Sequence, residues 1–321
     1  MSGRPRRILV VKHGALGDFV LAMGPFAAIR AHHPNAHITL LTTGPFVELA
    51  ERSGWFDAVW IDERPRWQAP RAWLALRRRL RESGFERVYD LQTSDRSSSY
   101  LRLFPRRNRP EWSGIAPGAS HPHANPGRDA MHTVERQKEQ LAMAGIGEVP
   151  PSDLSWLDAD LSAFDLPERF VLLVPGGAPT RPAKRWPADR YAALAATLTA
   201  EGITPVILGT AAEADAAAVI AARCPEALTL LGRTGFAEIA ALARRAEAAI
   251  GNDTGPMHLI AAAGCPSLVL FSAESDPALC APRGAAVTVL RRDDLDLLGH
   301  EEVSQRLTRL SRPRSSAMPA D

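Results

Sequence analysis

Short apolar runs alternate with longer amphipathic stretches along most of this chain. The runs are rich in Val, Ile and Leu, and in the stretches between them apolar residues recur every three or four positions, as on one face of a helix. This alternation is typical of βα units whose strands form a parallel sheet. The pattern starts near residue 7 and starts again near residue 170, so the sequence predicts an α/β fold with two parallel sheets.

The pattern also predicts where the elements lie. In the first half it predicts strands at 7–11, 37–42, 58–61 and 87–91 and helices at 19–32, 45–52, 70–83 and 132–144. In the second half it predicts strands at 170–174, 205–208, 228–231, 248–250, 267–271 and 287–290. The segment 105–129, which contains five prolines, is expected to form a long surface loop.

A linker is expected at 145–167, where Gly, Pro, Ser and Asp are frequent and no period persists. We therefore predict a domain at 1–160, a second domain at 161–311, and a disordered tail at 312–321.

Composition limits the function classes. The 321 residues are 45% hydrophobic, enough for two domains of ordinary size. No apolar run approaches the roughly 20 residues of a membrane span, and the basic start leads straight into a short strand, so a cytoplasmic location is expected. Three scattered cysteines, Cys224, Cys265 and Cys280, predict neither a disulfide framework nor a zinc site.

Positive charge is concentrated between residues 64 and 109, a segment that contains thirteen arginines and four acidic residues. The net charge of the whole chain is only +2. One interpretation is a surface for an anionic ligand or a membrane. The other is a set of solvated helix faces, because arginine is the usual cation of this chain and lysine occurs only three times. The segment contains no nucleic-acid-binding motif, so we expect no nucleic-acid partner.

The most informative loop follows the predicted strand 248–250. Asp253 or Thr254 can cap the helix that must follow, Gly255 lets a ligand approach the backbone, and Pro256 fits a first helical position. Free N–H groups and the positive end of a helix dipole suit a diphosphate there. Turns capped in this way also occur without any ligand.

Three further loops carry candidate chemistry, since ligands of doubly wound sheets bind beyond the carboxyl ends of the strands. The loop 12–18 has neither the G-x-G-x-x-G fingerprint of dinucleotide-binding proteins nor the Lys-Ser/Thr ending of a P-loop. Its Asp18 either points into the ligand-binding cleft or caps the helix that follows the loop. The other two lie in the second half, where we therefore place the phosphate-bearing ligand. The candidate residues of these two loops are Gly176, Gly177, Thr180, Lys184 and Glu213, and those of the first loop include Gly14 and Gly17. No Asp-x-Asp element lies in the four loops, so we expect no metal.

The order of these motifs resembles a known family. Gly14-Ala15-Leu16-Gly17-Asp18 after the first strand, followed much later by Asn252-Asp253-Thr254-Gly255-Pro256-Met257-His258, looks like glycosyltransferase family 9, whose best-known members are ADP-heptose:lipopolysaccharide heptosyltransferases. The resemblance covers roughly 7–283. It includes the elements at 132–136 and 180–187.

The resemblance implies a GT-B fold, in which two Rossmann-like domains face a cleft, with the acceptor on the N-terminal domain and the nucleotide sugar on the C-terminal domain. Asp18 would be the catalytic base of an inverting transfer. The donor would be surrounded by Thr180, Lys184, Asp253, Thr254, Gly255 and His258, and we place Glu213 with them. The chain departs from the family pattern at Pro179, where a second hydroxyl is common, and at His13, which replaces a small polar residue.

By this resemblance the chain moves heptose from ADP-heptose to a lipopolysaccharide-core acceptor. It would act as a monomer at the cytoplasmic face of the inner membrane, with the nucleotide sugar as substrate and no further cofactor. Two alternatives stay open: a family member that uses another nucleotide sugar or glycan acceptor, and a GT-B protein that binds a nucleotide sugar without transferring it. A Rossmann NAD(P) oxidoreductase is disfavoured, since G-x-G-x-x-G is absent after Val11.

Overall fold

A computed structural model describes residues 6–66 and 68–310 of the chain. The chain forms two compact units that divide between Asp153 and Leu154, within the segment predicted as a linker. The domain limits given above, at 160 and 311, stay predictions, and the predicted tail lies outside the described residues. None of the described helices combines the length and the apolar content that crossing a bilayer requires.

The first unit is built on a parallel sheet of six strands in the order β3-β2-β1-β4-β5-β6. Its strands are β1 Arg7–Val11, β2 His37–Thr42, β3 Ala58–Ile61, β4 Arg87–Asp90, β5 Glu111–Gly114 and β6 His121–Pro122. Its α-helices are α1 Leu16–Leu21, α2 Met23–His32, α3 Val47–Arg52, α4 Pro70–Glu82, α5 Asp95–Ser99 and α6 Thr133–Met143.

Two expectations for this unit were wrong. The segment 105–129 is not one long surface loop, because β5 and β6 in it extend the sheet beyond β4 and bury Trp112 completely. These strands have only four and two residues, too short to show a period of two among prolines. The helix expected at 19–32 starts earlier, at Leu16, and Ala22 separates it into α1 and α2.

The second unit repeats the architecture, with strand order β12-β11-β10-β7-β8-β9. Its strands are β7 Phe170–Val174, β8 Thr204–Ile207, β9 Leu228–Thr229, β10 Ala248–Asn252, β11 Ser267–Phe271 and β12 Val287–Arg291. Its α-helices are α7 Ala188–Ala200, α8 Ala214–Arg223, α9 Phe236–Arg245, α10 Gly255–Ala262, α11 Pro277–Cys280 and α12 His300–Leu310.

The central strands are buried on both faces, as their unbroken apolar sequences require. All five residues of β7 are buried, and so are those of β10 and β11. Trp186 and Tyr191 are the largest side chains completely buried in this unit, and their rings meet edge to face with centroids 4.7 Å apart. This packing holds the loop before α7 against the sheet.

Each sheet has one place where the strand order reverses. In the first unit β1 pairs with β4, so Val11 lies beside Asp90 at the carboxyl end of both strands. In the second unit β7 pairs with β10, and Val174 lies beside Gly251. Connections leave such neighbouring strands in opposite directions, and a crevice opens between them. Three of the four loops selected from the sequence follow β1, β7 and β10 at these two positions, and the fourth follows β8 beside β7.

Candidate active site

The loop after β1 carries Asp18 into the first turn of α1. The N-cap of this helix is Ala15, which makes no side-chain cap hydrogen bond, so Asp18 does not cap the helix. Gly14 has φ +112°, and a side chain there would collide with the Phe46 ring. The prediction that Gly17 belongs to the loop was wrong, because Gly17 is buried inside α1.

Asp18 is half-buried and lines a polar cavity of about 250 Å³ in the first unit. Three cations, Lys12, Arg128 and Arg136, line it together with the carboxylates of Asp18 and Asp129. The other lining residues are mostly amides and hydroxyls: Leu91, Gln92, Thr93, Thr133, Gln137 and Gln140. The cavity therefore suits a polar ligand with hydroxyl or acidic groups.

Lys12 is a buried residue that lines this cavity together with Asp18. Its ammonium donates to the carbonyl oxygen of Leu91 at 3.2 Å. Burial lowers the pKa of Lys12, and the neighbouring carboxylates of Asp18 and Asp90 offset part of that effect. The two carboxylates thus favour the charged form of a lysine that is only 3% exposed.

Asp90 ends β4 and has no exposed surface. Burial raises its pKa to about 6, although backbone hydrogen bonds from Thr93 and Gln92 favour the ionised form. The backbone carbonyl of Asp90 accepts a hydrogen bond from Gln140 at 3.0 Å, which ties the strand end to α6. Asp90 does not line the cavity itself, but its backbone carbonyl positions Gln140, which does.

The cations on the other side of the cavity are positioned by a network around Glu139 of α6. Glu139 contacts His123 at 2.9 Å and accepts hydrogen bonds from Asn125, which fixes the segment that leads to Arg128. Burial and the nearby charge of Arg128 lower the pKa of Arg136. The Asp129 carboxylate lies 2.8 Å from Nη1 of Arg128 and 3.9 Å from Nη1 of Arg136, so both guanidinium groups converge on one carboxylate.

In the second unit, Asn252 at the end of β10 organises the loop 175–187. Its amide nitrogen donates to the carbonyl oxygens of Pro175 and Gly176 at 2.8 and 3.0 Å. Its carbonyl oxygen accepts from the Trp186 backbone N–H at 3.0 Å and from the Tyr191 hydroxyl at 3.2 Å. One completely buried amide thus joins the loops after β7 and β10.

The structure brings two of the predicted donor residues together. The Lys184 ammonium lies 2.5 Å from Oδ2 of Asp253, with side-chain exposures of 11% and 8%. Ser275, from the loop after β11, donates to the same oxygen at 2.7 Å. Asp253 is therefore the counter-ion of Lys184, and of the two residues expected as possible caps of α10 it is Thr254 that occupies the N-cap position.

The remaining residues of that turn have distinct places. Thr254 is the N-cap of α10 but makes no side-chain cap hydrogen bond, Gly255 is its first residue, and His258 lies buried on the same helix. Pro256 occupies the second helical position rather than the first. Pro256 has no N–H, and the Met257 N–H donates to the Thr254 carbonyl oxygen at 3.1 Å, so the positive end of the α10 dipole is the feature of this turn that suits a phosphate.

The other small-residue loops meet at the same edge of the sheet. Thr210 and Glu213 form a capping box at the start of the short helix after β8. A Cβ on Gly176 would come within 2.9 Å of the Glu213 carboxylate, which would then have to shift. Gly177 is held through its carbonyl, which accepts from Arg185 at 2.8 Å. Thr180 is exposed in the turn that follows.

Sequence reasoning missed several residues of these sites. Lys12 was conspicuous only as a rare lysine, Asn252 only as part of the motif 252–258, and Ser275 and Asp90 gave no signal of a role. Their importance comes from contacts across the sheet edge. A search for polar residues directly after every buried strand would have found Asn252 and Asp90.

The two Rossmann-like parallel sheets, each with polar loops at its reversal point, define a glycosyltransferase fold of the GT-B type. A solved family 9 glycosyltransferase from Veillonella parvula is similar with a TM-score of 0.82 and 20% identity, covering 95% of this chain and 97% of that one. The Escherichia coli ADP-heptose lipopolysaccharide heptosyltransferase II has a TM-score of 0.73 and 23% identity, covering 95% and 98%.

The sequence comparisons point to the same family. The model of glycosyltransferase family 9 (heptosyltransferase) matches residues 73–299. The lipopolysaccharide heptosyltransferase 2 of Salmonella typhimurium is 26% identical over 315 residues, covering 89% of this chain and 88% of the relative. The chain therefore belongs to glycosyltransferase family 9 and is a heptosyltransferase-like glycosyltransferase.

Proposed function

We propose that this chain transfers heptose from ADP-heptose to a lipopolysaccharide-core acceptor with inversion, and that Asp18 is the general base. The observation that carries the proposal is the position of Asp18, which is half-buried in a polar cavity and not used as a helix cap. The proposed donor and acceptor are supported by the name of one relative, the Escherichia coli ADP-heptose lipopolysaccharide heptosyltransferase II.

The chemistry explains why a carboxylate belongs there. Breaking a sugar–diphosphate bond develops positive charge at the anomeric carbon and negative charge on the leaving diphosphate. The acceptor hydroxyl forms the new bond to that carbon from the opposite face and must lose its proton. Asp18 accepts that proton when the acceptor hydroxyl lies within hydrogen-bond reach of its carboxylate.

The second unit supplies the donor site in this proposal. The Lys184 ammonium and the first turn of α10 stabilise the leaving diphosphate, while Asp253 and Ser275 hold the lysine in place. Thr180, Glu213, Thr254, Gly255 and His258 surround the nucleotide sugar together with the backbone of Gly176 and Gly177. The nucleotide sugar is a substrate, and the proposal includes no metal or separate cofactor.

The first unit supplies the acceptor site. Arg128 and Arg136 lie in the same cavity as Asp18, so an acceptor with acidic groups places its hydroxyl near the base. We propose that the enzyme works as a monomer in the cytoplasm, at the inner-membrane surface where a lipid-linked acceptor is available.

The test is the variant Asp18→Asn, assayed with ADP-heptose and a lipopolysaccharide-core acceptor. Asn keeps the size of the side chain but cannot accept the proton, so we expect turnover to fall by about 10²- to 10⁴-fold. ADP affinity, measured by calorimetry, should stay near the wild-type value.

Glu48→Gln is the matched control, since it removes an exposed carboxylate from the first turn of α3. It should leave turnover unchanged. If Asp18→Asn turned over substrate at the wild-type rate, the role of Asp18 as general base would be refuted. ADP binding without any transfer by the wild-type protein would instead favour a nucleotide-sugar-binding protein that lacks transferase activity.

A further inference from the structure

His13 connects the carboxyl ends of four neighbouring strands in the first unit. It is the second residue after β1, and it contacts a residue just beyond each of β2, β3 and β4. Its backbone N–H donates to Oε1 of Gln92 at 2.9 Å, and its carbonyl oxygen accepts from the Thr43 hydroxyl at 2.8 Å. Its imidazole Nε2 lies 2.9 Å from Oδ2 of Asp62. These contacts fix both the backbone and the side chain of His13.

The contact with Asp62 requires a long side chain at position 13. Strand β3, which precedes Asp62, is not adjacent to β1, because β2 lies between them. Neighbouring strands lie about 4.8 Å apart, so the side chains of His13 and Asp62 together span roughly 10 Å. A short side chain, such as the small polar residue of the family pattern, cannot make this contact. The pair is therefore a connection that the family pattern does not provide.

Asp62 is a buried acceptor that several groups hold in its ionised form. Its carboxylate accepts hydrogen bonds from the Tyr100 hydroxyl at 2.5 Å and from the Arg64 backbone N–H at 2.8 Å. Burial raises the pKa of Asp62, but its contacts with His13, Tyr100 and Arg64 outweigh burial and hold that pKa below the ordinary value. An ionised carboxylate only accepts, so it favours a proton on Nε2 of His13 and fixes the orientation of the imidazole ring.

The chain that leaves His13 reaches Asp18 five residues later. Gly14 packs against the ring of Phe46, and that ring stacks on Phe19 of α1 with centroids 4.8 Å apart. The segment is thus held by His13 at one end and by Phe19 at the other. Asp18 lies between these two fixed points, so a displacement of His13 would also displace the first turn of α1 and the Asp18 carboxylate.

We propose that His13 is a positioning residue for Asp18, and that Asp62 and Tyr100 hold His13 so that the Asp18 carboxylate stays where the acceptor hydroxyl reacts. The proposal rests on the proposed function only in that Asp18 is the general base. His13 itself touches neither substrate. A displacement of about 1 Å can lower a rate by about 100-fold, so the connection through His13 contributes to turnover and not to donor affinity.

The first experiment compares His13→Ala with His13→Gln in the full chain, with ADP-heptose and a lipopolysaccharide-core acceptor as substrates. Ala removes the contact with Asp62, whereas the amide of Gln can place an N–H near the position of Nε2. We expect His13→Ala to lower kcat about 10- to 100-fold and His13→Gln to keep kcat within about threefold of the wild type. ADP affinity, measured by calorimetry, should not change in either variant.

Two more single variants complete this comparison. Asp62→Asn keeps the size of the side chain but removes its charge, so it should lower kcat in the same direction as His13→Ala. His37→Ala is the matched control, because it removes an exposed histidine from the start of β2, and it should leave kcat unchanged. Urea unfolding detects a purely structural role. A His13→Ala protein that is less stable but turns over at the wild-type rate would overturn the proposal.

A double variant tests whether His13 acts through Asp18. If it does, adding His13→Ala to Asp18→Asn should lower kcat by no more than about twofold further, because the base that His13 positions is already absent. If the second substitution instead costs the same factor as it does in the wild type, His13 acts independently of Asp18 and the proposal is overturned.

Hydrogen exchange tests the positioning without an assay of sugar transfer. The amides of residues 12–22 should exchange faster in His13→Ala than in the wild type or in His13→Gln, while those of residues 170–187 should not change. Unchanged exchange at 12–22 in His13→Ala would overturn the proposal. If this exchange rises but Asp18→Asn keeps wild-type turnover, the general base is refuted and the positioning of the loop by His13 stands.

Discussion

At the scale of single residues, both units use a buried acidic or amide side chain to organise a loop at a strand end. Asn252 satisfies three partners in the loop 175–187 and the Tyr191 hydroxyl of α7, and Asp62 connects His13, Tyr100 and Arg64. A buried polar group left without partners costs free energy, so such residues are stable only when their partners are fixed. These residues therefore determine loop geometry, and the residues that they position meet the ligand.

The Lys184–Asp253 pair leads to the first residue-scale prediction. Lys184→Ala removes the cation beside the proposed diphosphate and leaves Asp253 with only its Ser275 contact. We expect ADP affinity to fall about 10- to 100-fold, because a charge-assisted hydrogen bond contributes roughly 1.5 to 3 kcal/mol.

Calorimetric titration with ADP measures this loss, and urea unfolding shows whether folding is disturbed less than binding. Lys138→Ala, which removes a half-exposed lysine of α6, is the control and should bind ADP like the wild type. Unchanged ADP affinity in Lys184→Ala would remove this lysine from the donor site.

Asp90 leads to a prediction about pH. Its pKa in the folded protein is about 6 against an ordinary value of 3.8, so the folded chain binds more protons than the unfolded chain between these values. The stability that Asp90 contributes is fully present below pH 3.8 and is lost as pH rises through 6. Two pKa units correspond to about 3 kcal/mol.

Asp90→Asn removes this titration while its side-chain oxygen can still accept from Gln92 and Thr93. We expect the free energy of unfolding of the wild type, relative to that of the variant, to fall by about 2 kcal/mol from pH 4 to pH 7. Urea unfolding at several pH values measures it. Parallel pH profiles for the two proteins would contradict the raised pKa of Asp90.

At the scale of elements, α4 has the most unusual surface. Leu80 is its only buried residue among those described, Leu74 is 59% exposed, and Arg77, Arg78 and Arg81 are exposed around it. A helix with exposed arginines around an exposed apolar residue suits the headgroup region of an anionic membrane. The other interpretation, a solvated helix face, predicts no lipid preference.

Replacing Arg77, Arg78 and Arg81 by Gln should therefore weaken flotation with vesicles that contain anionic lipid. Binding of the wild type should also fall as salt rises, since screening at 0.15 M limits the attraction to about 8 Å. The control replaces three exposed arginines of the second unit, Arg223, Arg306 and Arg309, by Gln. Equal flotation of both variants would show that α4 is only a solvated surface.

At the scale of the whole molecule, each unit has its own six-stranded sheet and its own buried core. The core of the second unit includes residues from α12, such as Val303 and Leu307, so this unit needs the chain to its last described helix. A unit with a separate core is expected to fold alone.

We therefore expect a fragment that starts at Leu154 to fold cooperatively and to bind ADP with the affinity of the full chain. A fragment that ends at Asp153 should not bind ADP. Circular dichroism and calorimetry test both expectations, and Lys184→Ala in the second fragment is the control for specific binding. ADP binding by the first fragment would contradict the assignment of the donor to the second unit.

The sequence alone determined the class of fold and most of the strands, because burial on both faces requires continuous apolar runs that can be read locally. Strands at 7–11, 37–42 and 170–174 agree with the structure residue for residue. Glycines, hydroxyls and charged residues after the strands predicted at 7–11, 170–174, 205–208 and 248–250 also indicated which loops carry chemistry. The family followed from the order of those loops.

The tertiary structure alone decided which side chains meet. Lys184 and Asp253 are 69 residues apart, and Asn252 lies 77 residues from Pro175, so no local period connects them. Whether Asp18 caps a helix depended on where α1 begins, and β5 and β6 formed only because a neighbouring strand was there to pair. The hydrophobic periodicity of the sequence indicates only which face of a single segment is buried. A site forms where the strand order of the sheet reverses, because the ends of strands distant in sequence lie together there.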